Sequence, residues 1–286
     1  MGDCHYQLGL IAQDKWQLDQ AEDAYRRALE VWLEFGDSQR AATVYTRLGF
    51  IAREQGRYDD AEADIRRALD LHLSLGDRYQ LAESLGQLAL ISQAQGRPEE
   101  AEASYRQALD IFLEFGNDGG AAVTLFSLGN LAAARERYDE AESSYRRAVE
   151  LAGPAANSRL AAEAYLQLAR LAEIQDRQAE AEVSYLAALE VSQDLPDERA
   201  QSSIATNVGL ALTRLGQPDR AVPVLLHAAS TWHRLTGEWA EVDLQGLRRE
   251  RARTGPARFA ELVAQNVPAE LAGGLTAALD APASPA

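Results

Sequence analysis

Two apolar segments recur along the chain, each with helical spacing and each returning after forty residues. One runs AEDAYRRALEV from Ala21, AEADIRRALDL from Ala61, AEASYRQALDI from Ala101, AESSYRRAVEL from Ala141, AEVSYLAALEV from Ala181 and AVPVLLHAAST from Ala221. Ahead of it lie YQLGLIA from Tyr6, TRLGFIA from Thr46, GQLALIS from Gly86, FSLGNLA from Phe126, LQLARLA from Leu166 and TNVGLAL from Thr206. Ala61, Ile65 and Ala68 share one helical face, as do Leu48 and Ala52. A short polar turn such as QGRYDD or QGRPEE joins the two segments, so each period predicts two antiparallel helices.

No such pair buries both its faces alone, and only a stack makes a continuous core. Gly49 and the small alanines predict close helix approach, with Tyr25, Ile65, Tyr105, Tyr145, Tyr185 and Leu225 filling the space between helices. Gly36, Gly76 and Gly116 read as left-handed C-caps, and Asp37, Asp77 and Asn117 mark the next helix starts. Six repeats occupy residues 1–237.

The period breaks at three places. Pro154 in LAGPAANSR and Pro196 in DLPDER predict second helices that stop early, opening the ridge between repeats 4, 5 and 6 as a bend or a docking notch, or else reflecting drift in loop sequence. Residues 238–281 read as capping helices: EWAEVDLQGLRRERAR, ended at Gly255 and Pro256, then PARFAELVAQN and PAELAGGLTAALDA. Arg248, Arg249, Arg251 and Arg253 supply a polar end to the stack; the alternative is that Phe259, Leu262, Val263, Leu271 and Leu275 fold back as a built-in inhibitor. Residues 282–286 are expected to be disordered. At the other end Cys4, Leu8 and Ile11 form an apolar edge, as expected of a chain cut from a longer protein or of an end that pairs, including with itself.

The L-G-x2-A followed by A-x3-Y-x2-A resembles the tetratricopeptide repeat, whereas HEAT and armadillo repeats lack this alanine and aromatic signature. The forty-residue period with EFGD, SLGD and EFGN is similar to the Leu-Gly-Asn adaptor proteins, kinesin light chains and bacterial signalling arrays. This resemblance covers about residues 1–237 and implies an all-α, right-handed superhelix, an α-solenoid whose function is protein or peptide binding.

Charge and composition narrow the partner. The 286 residues are 47% hydrophobic, enough for a folded core. Against 28 Lys and Arg stand 44 Asp and Glu, a formal charge of -16 that repels nucleic acid and anionic membranes; it favours a basic partner or serves solubility alone. One cysteine and the lack of a signal-like or membrane-length apolar run point to the cytoplasm. GxxxxGK[ST], HExxH, GxSxG and CxxC are all missing from the sequence, His227 and His233 fall on different helix faces, and GNDGG at 116–120 reads as a turn between repeats. We therefore expect no catalytic residues, metal or cofactor.

In arrays of this family the first helix of each repeat lines the concave surface. Carried onto this chain, the groove comprises Tyr6, Leu10, Thr46, Phe50, Arg53, Leu90, Gln93, Phe126, Asn130, Leu166, Arg170 and Leu210. Asn130 in LGN matches the adaptor motif once, and Phe50, Leu90, Arg170 and Leu210 replace it elsewhere; the Lys and Asn clamp of the chaperone-binding subfamily is missing. The expected function is capture of an amphipathic or extended segment of a partner, with a peptide-responsive sensor domain of a larger bacterial signalling protein as the alternative.

Overall fold

A computed structural model describes residues 1–153 and 157–282. The expectations for Pro154 and for residues 283–286 lie outside the described residues. Fifteen helices are present among them: α1 (Gly2–Asp14), α2 (Leu18–Glu34), α3 (Ser38–Glu54), α4 (Tyr58–Leu75), α5 (Arg78–Ala94), α6 (Pro98–Glu114), α7 (Asp118–Ala134), α8 (Tyr138–Ala152), α9 (Ser158–Ile174), α10 (Gln178–Ser192), α11 (Glu198–Arg214), α12 (Pro218–Thr236), α13 (Glu241–Thr254), α14 (Pro256–Asn266) and α15 (Ala269–Asp280). They fall into two compact units, Met1–Arg137 and Tyr138–Ala286.

The helix-turn-helix repeats form as the spacing predicts, and their boundaries have local causes. Asp37, Asp77 and Asn117 each accept a hydrogen bond from the backbone N–H three residues on, at 3.1, 3.2 and 2.9 Å, so they are N-caps. Gly36, Gly76 and Gly116 take φ of 69°, 68° and 64°, the left-handed turn that ends a helix. The turn inside each repeat uses the same conformation at Gly56, Gly96 and Gly216, whereas Trp16, Glu136 and Asp176 adopt it with a side chain, at a cost of about 1 kcal/mol each. Helices α8 and α10 stop after 15 residues, and the break after α10 coincides with Pro196.

Within a repeat, packing depends on a small residue beneath a large one. Tyr25, Ile65, Tyr105, Tyr145, Tyr185 and Leu225 are all buried. A Cβ at Gly9 would lie 2.5 Å from the Tyr25 ring, one at Gly49 2.6 Å from Ile65, and one at Gly209 2.7 Å from Leu225. Tyr25 and Tyr185 also use their hydroxyls, which donate to Gln13 at 2.8 Å and to Glu173 at 2.7 Å on the first helix of the same repeat. Burial pushes the Tyr25 phenol up to about 12, so it remains a donor at physiological pH.

Between repeats runs a ladder of ion pairs. In the first unit Glu22 meets Arg57 at 2.6 Å, Glu62 meets Arg97, and Glu102 meets Arg137 at 2.7 Å; in the second Glu142 meets Arg177 at 2.6 Å. Each acid is the second residue of an A-E pair, and each base sits 35 residues later in the turn of the following repeat. Their partners hold the Glu102 and Glu142 carboxyls below the usual range, with burial opposing; at Glu62 burial is the larger single influence, but Arg97 and Arg66 together outweigh it.

The C-terminal helices continue the core of the second unit. Val222, Leu225, Leu226 and Ala229 of α12 pack with Leu244 and Leu247 of α13, Phe259 and Leu262 of α14, and Leu275 and Leu279 of α15; Val263 and Leu271 lean on the same cluster. The arginine-rich stretch acts differently from a plain solvated end. Arg248 donates to the carbonyls of Ala278 and Leu279 at 2.9 and 3.1 Å, satisfying the negative end of α15, while Arg253 donates to the Thr213 carbonyl near the end of α11 at 2.6 Å. Arg251 pairs with Asp280 at 2.8 Å, and Arg249 is exposed. Helix α13 begins at Glu241, later than the sequence suggests: Ala240 ahead of it is extended, and the Trp239 ring stacks on His233 with centroids 4.1 Å apart. Asp243 in its first turn is fully buried; neither carboxylate oxygen has a hydrogen-bond partner of good geometry among the described residues, and burial raises its carboxyl to about 6 against a small opposing effect of Thr206.

Four substitutions test these contacts by their effect on stability. Gly49→Ala should destabilise by about 1–3 kcal/mol in thermal melts, because overpacking Ile65 outweighs a helix-propensity gain of about 1 kcal/mol. Gly86→Ala has open space around its Cβ and should instead stabilise. Glu102→Gln should cost about 1–2 kcal/mol at pH 7. Since the Glu102 carboxyl is held low in the fold, its contribution is complete above the unfolded value of about 4.3 and fades as pH falls through the folded value; the variant should therefore show a shallower acid limb. Asp243 has the opposite sign: its stabilising form is protonated, present in full below about pH 4 and lost as pH rises through about 6. Asp243→Asn should then raise stability at pH 7 by about 2–3 kcal/mol and make little difference at pH 4.

Candidate functional site

In the first unit the inward-read positions lie on α1, α3, α5 and α7. Tyr6 and Leu10 lean on the terminal core cluster, and the Tyr6 ring tilts against Tyr25 and Trp32 with centroids 5.6 Å apart in each case. Both are half-buried. They act first as core.

The most developed surface is where α3 meets α5. Thr46 donates its hydroxyl hydrogen to the Ala42 carbonyl at 3.2 Å, so the 3.2 Å contact with buried Ser84 has Ser84 as donor. One to two turns along, Arg53 reaches across to Gln87 at 3.0 Å and is held from its own helix by Glu54 at 2.6 Å. The Arg53 guanidinium lies 5.1 Å from the centre of the Phe50 ring, close enough for a cation–π contact. Phe50 is half-buried against the core, whereas Leu90, at the same register one repeat on, is 37% exposed. Gln93 is exposed beside it, and Phe126 and Asn130 on α7 are half-buried.

In the second unit the three remaining positions have different surroundings. Leu166 is only 7% exposed and belongs to the core around Tyr185 and Val208. Arg170 is exposed. Leu210 lies under α13, where a Cβ at Gly246 would come within 2.9 Å of it. The structure thus brings Thr46, Phe50, Arg53 and Leu90 to one surface and commits Leu166 and Leu210 to packing.

Ser84 and Gln87 are the residues that reading along single repeats passes over. They sit one turn apart on α5 and face α3, so their signal is a polar residue 38 after Thr46 and 34 after Arg53. Chemically the surface offers an aromatic ring, an aliphatic side chain, a braced guanidinium and a free-standing amide. Such a set can hold an apolar side chain and a polar neighbour. Among the described residues no group of three or more His, Cys, Asp or Glu is placed to hold a metal ion, and no helix is long and apolar enough to cross a membrane.

Known proteins with the same architecture are numerous. A family model described as tetratricopeptide repeat matches in four overlapping windows, residues 3–74, 40–114, 80–153 and 120–194. BtubC (BKLC) from P. vanneervenii is similar with a TM-score of 0.67 and 22% identity, over 78% of this chain and 94% of that one. The apo form of RapI gives a TM-score of 0.65 at 13% identity, over 92% of this chain and 99% of that one. The Signal Transduction ATPase with Numerous Domains protein with a tetratricopeptide repeat sensor from Pyrococcus horikoshii gives 0.72 at 13% identity; the match covers 96% of this chain and 41% of that one. At these identities the likeness concerns the fold. No curated protein matches the sequence. With the family model spanning residues 3–194 and the repeats folded as helical pairs, the chain belongs to the tetratricopeptide repeat family.

Proposed function

We propose that the chain is a non-catalytic protein-interaction module that captures an amphipathic or extended segment of a partner on its first-helix face, centred on Phe50, Arg53 and Leu90. The observation that carries this reading is the exposed Leu90 on α5, the helix that packs against α3, where Phe50 is held by core contacts and Arg53 by Gln87 and Glu54. Preorganised groups lose little freedom when a ligand arrives, and an exposed apolar side chain among them gives the ligand something to bury. Tyr6, Leu10, Thr46, Gln93, Phe126 and Asn130 extend the face along the first unit; Arg170 is an exposed first-helix position within the second unit.

An apolar side chain at the Leu90 register, where an Asn would clasp peptide backbone, favours a ligand that presents side chains, as an amphipathic helix does at i and i+3 or i+4. The packing of Phe259, Leu262 and Leu275 against α12 supports the C-terminal helices as a cap and offers nothing for the inhibitor reading. The fold likeness to a protein whose repeats are a sensor keeps the signalling alternative in view. Exposed Leu8 and Ile11 on α1 are the surface through which self-association would occur.

A peptide library displayed against the intact chain should yield binders with spaced apolar residues. For the best of them, Leu90→Arg should weaken binding at least tenfold by fluorescence anisotropy with an unchanged helical circular dichroism spectrum, and Phe50→Ser should do the same. Binding that survives both substitutions removes this face as the site.

A further inference from the structure

The second unit holds a cavity of about 210 Å³ between α10, α11 and α12. Leu189, Ala205, Pro223 and Val224 give it apolar walls; Gln201 and His227 stand at its polar edge. It lies beside the second helix that ends early before Pro196.

The forty-residue register explains why space is left there. Position 205 corresponds to Tyr45, Leu85, Leu125 and Tyr165 in the four preceding repeats, so the sixth repeat alone has Ala at a place otherwise filled by a large side chain. Ser192 likewise replaces Trp32, His72 and Phe112 of the first three. The second repeat shows where the larger side chain goes: the Tyr45 ring extends toward α4 and lies 5.6 Å beneath the Arg67 guanidinium. His227 occupies the register of Arg67 and lines the cavity. The edge also changes character, since Pro223 and Val224 stand where Ala63 and Asp64, or Ala103 and Ser104, are found. The cavity is partly open to solvent, so a ligand can enter it, and apolar walls enclosing about this volume suit a single aromatic ring.

We propose that this cavity is a binding site for a single phenol-sized aromatic group, occupying the volume that Tyr45 and Tyr165 fill in their own repeats. The Gln201 amide supports the assignment: its N–H₂ donates to the Gln193 and Leu195 carbonyls at 3.2 and 2.7 Å, fixing its orientation and leaving its oxygen to accept from a phenol hydroxyl. His227 stands where Arg67 covers Tyr45 and closes over the ring in the same way. The group arrives either as a free small molecule or as a Tyr or Phe side chain of a bound partner. This site is independent of the α3–α5 surface.

The test is titration of the full chain with p-cresol and with N-acetyl-tyrosine amide, followed by NMR and calorimetry. Saturable binding of at least one probe is expected. It should weaken at least tenfold in Ala205→Leu and Ala205→Tyr, both of which should also melt at higher temperature than the parent. Leu85 and Leu125 show that leucine fits this register, so Ala205→Leu keeps the experiment decisive should the tyrosine variant fold poorly. Binding of the amide at least as tight as that of cresol points to a partner side chain, and binding of cresol alone points to a small molecule. Failure of both probes to saturate, or binding unchanged in a folded Ala205→Leu variant, overturns the proposal.

Discussion

Helix pairing within the repeats rests on a residue without a side chain, or with only a methyl, lying directly under a large one. Gly9 under Tyr25, Gly49 under Ile65 and Gly209 under Leu225 leave no room for a single added carbon. Where the first helix carries Ala89 or Ala169, the pair is made with Tyr105 or Tyr185 and the alanine takes the contact. This constraint turns the second helix so that its alanines nest into the first, and it leaves the opposite side of the first helix turned away from the intra-repeat core. Phe50 and Leu90 follow directly after those contact residues in sequence, one at 50 after Gly49 and one at 90 after Ala89, so the direction of the face proposed for partner capture is set by the packing.

Stacking then needs neighbouring repeats to be held at a fixed register, and charge does much of this. Each second-helix glutamate of the ladder accepts from an arginine of the following turn while also pairing with an arginine one turn along its own helix, as Glu62 does with Arg97 and Arg66. These carboxylates are mostly covered, so their pairs gain more than exposed ones and would cost more if one partner were removed. A large acidic excess is consistent with such a frame, because arginines bound up in the ladder contribute little free positive surface.

Much of this is legible in the sequence, for physical reasons. The repeat, its turns and its caps are readable because each depends on residue type at a fixed local spacing: left-handed glycine, capping Asp or Asn, alanine beneath tyrosine. The site is less so. Register places Thr46, Phe50, Arg53 and Leu90 on α3 and α5, but Leu166 and Leu210 share those registers and are in core contact, the first buried in its own unit's core and the second half-buried against the cluster that includes α13, which has no counterpart in the repeat. Ser84 and Gln87 escape because their partners are on another helix. Arg248 and Arg253 look like solvated charge in one dimension and prove to be ligands for helix-end carbonyls in three.

The direct measurement of where a partner sits is hydrogen–deuterium exchange on the intact chain with and without a saturating library-selected peptide. Capture on the first-helix face predicts added protection centred on α3 and α5, around residues 43–54 and 83–94, and extending no further than the first helices α1 and α7, with the second helices α4 and α6 and the C-terminal α13–α15 unaffected. Protection on α4, α6 or α13–α15 with none on α3 and α5 would contradict it.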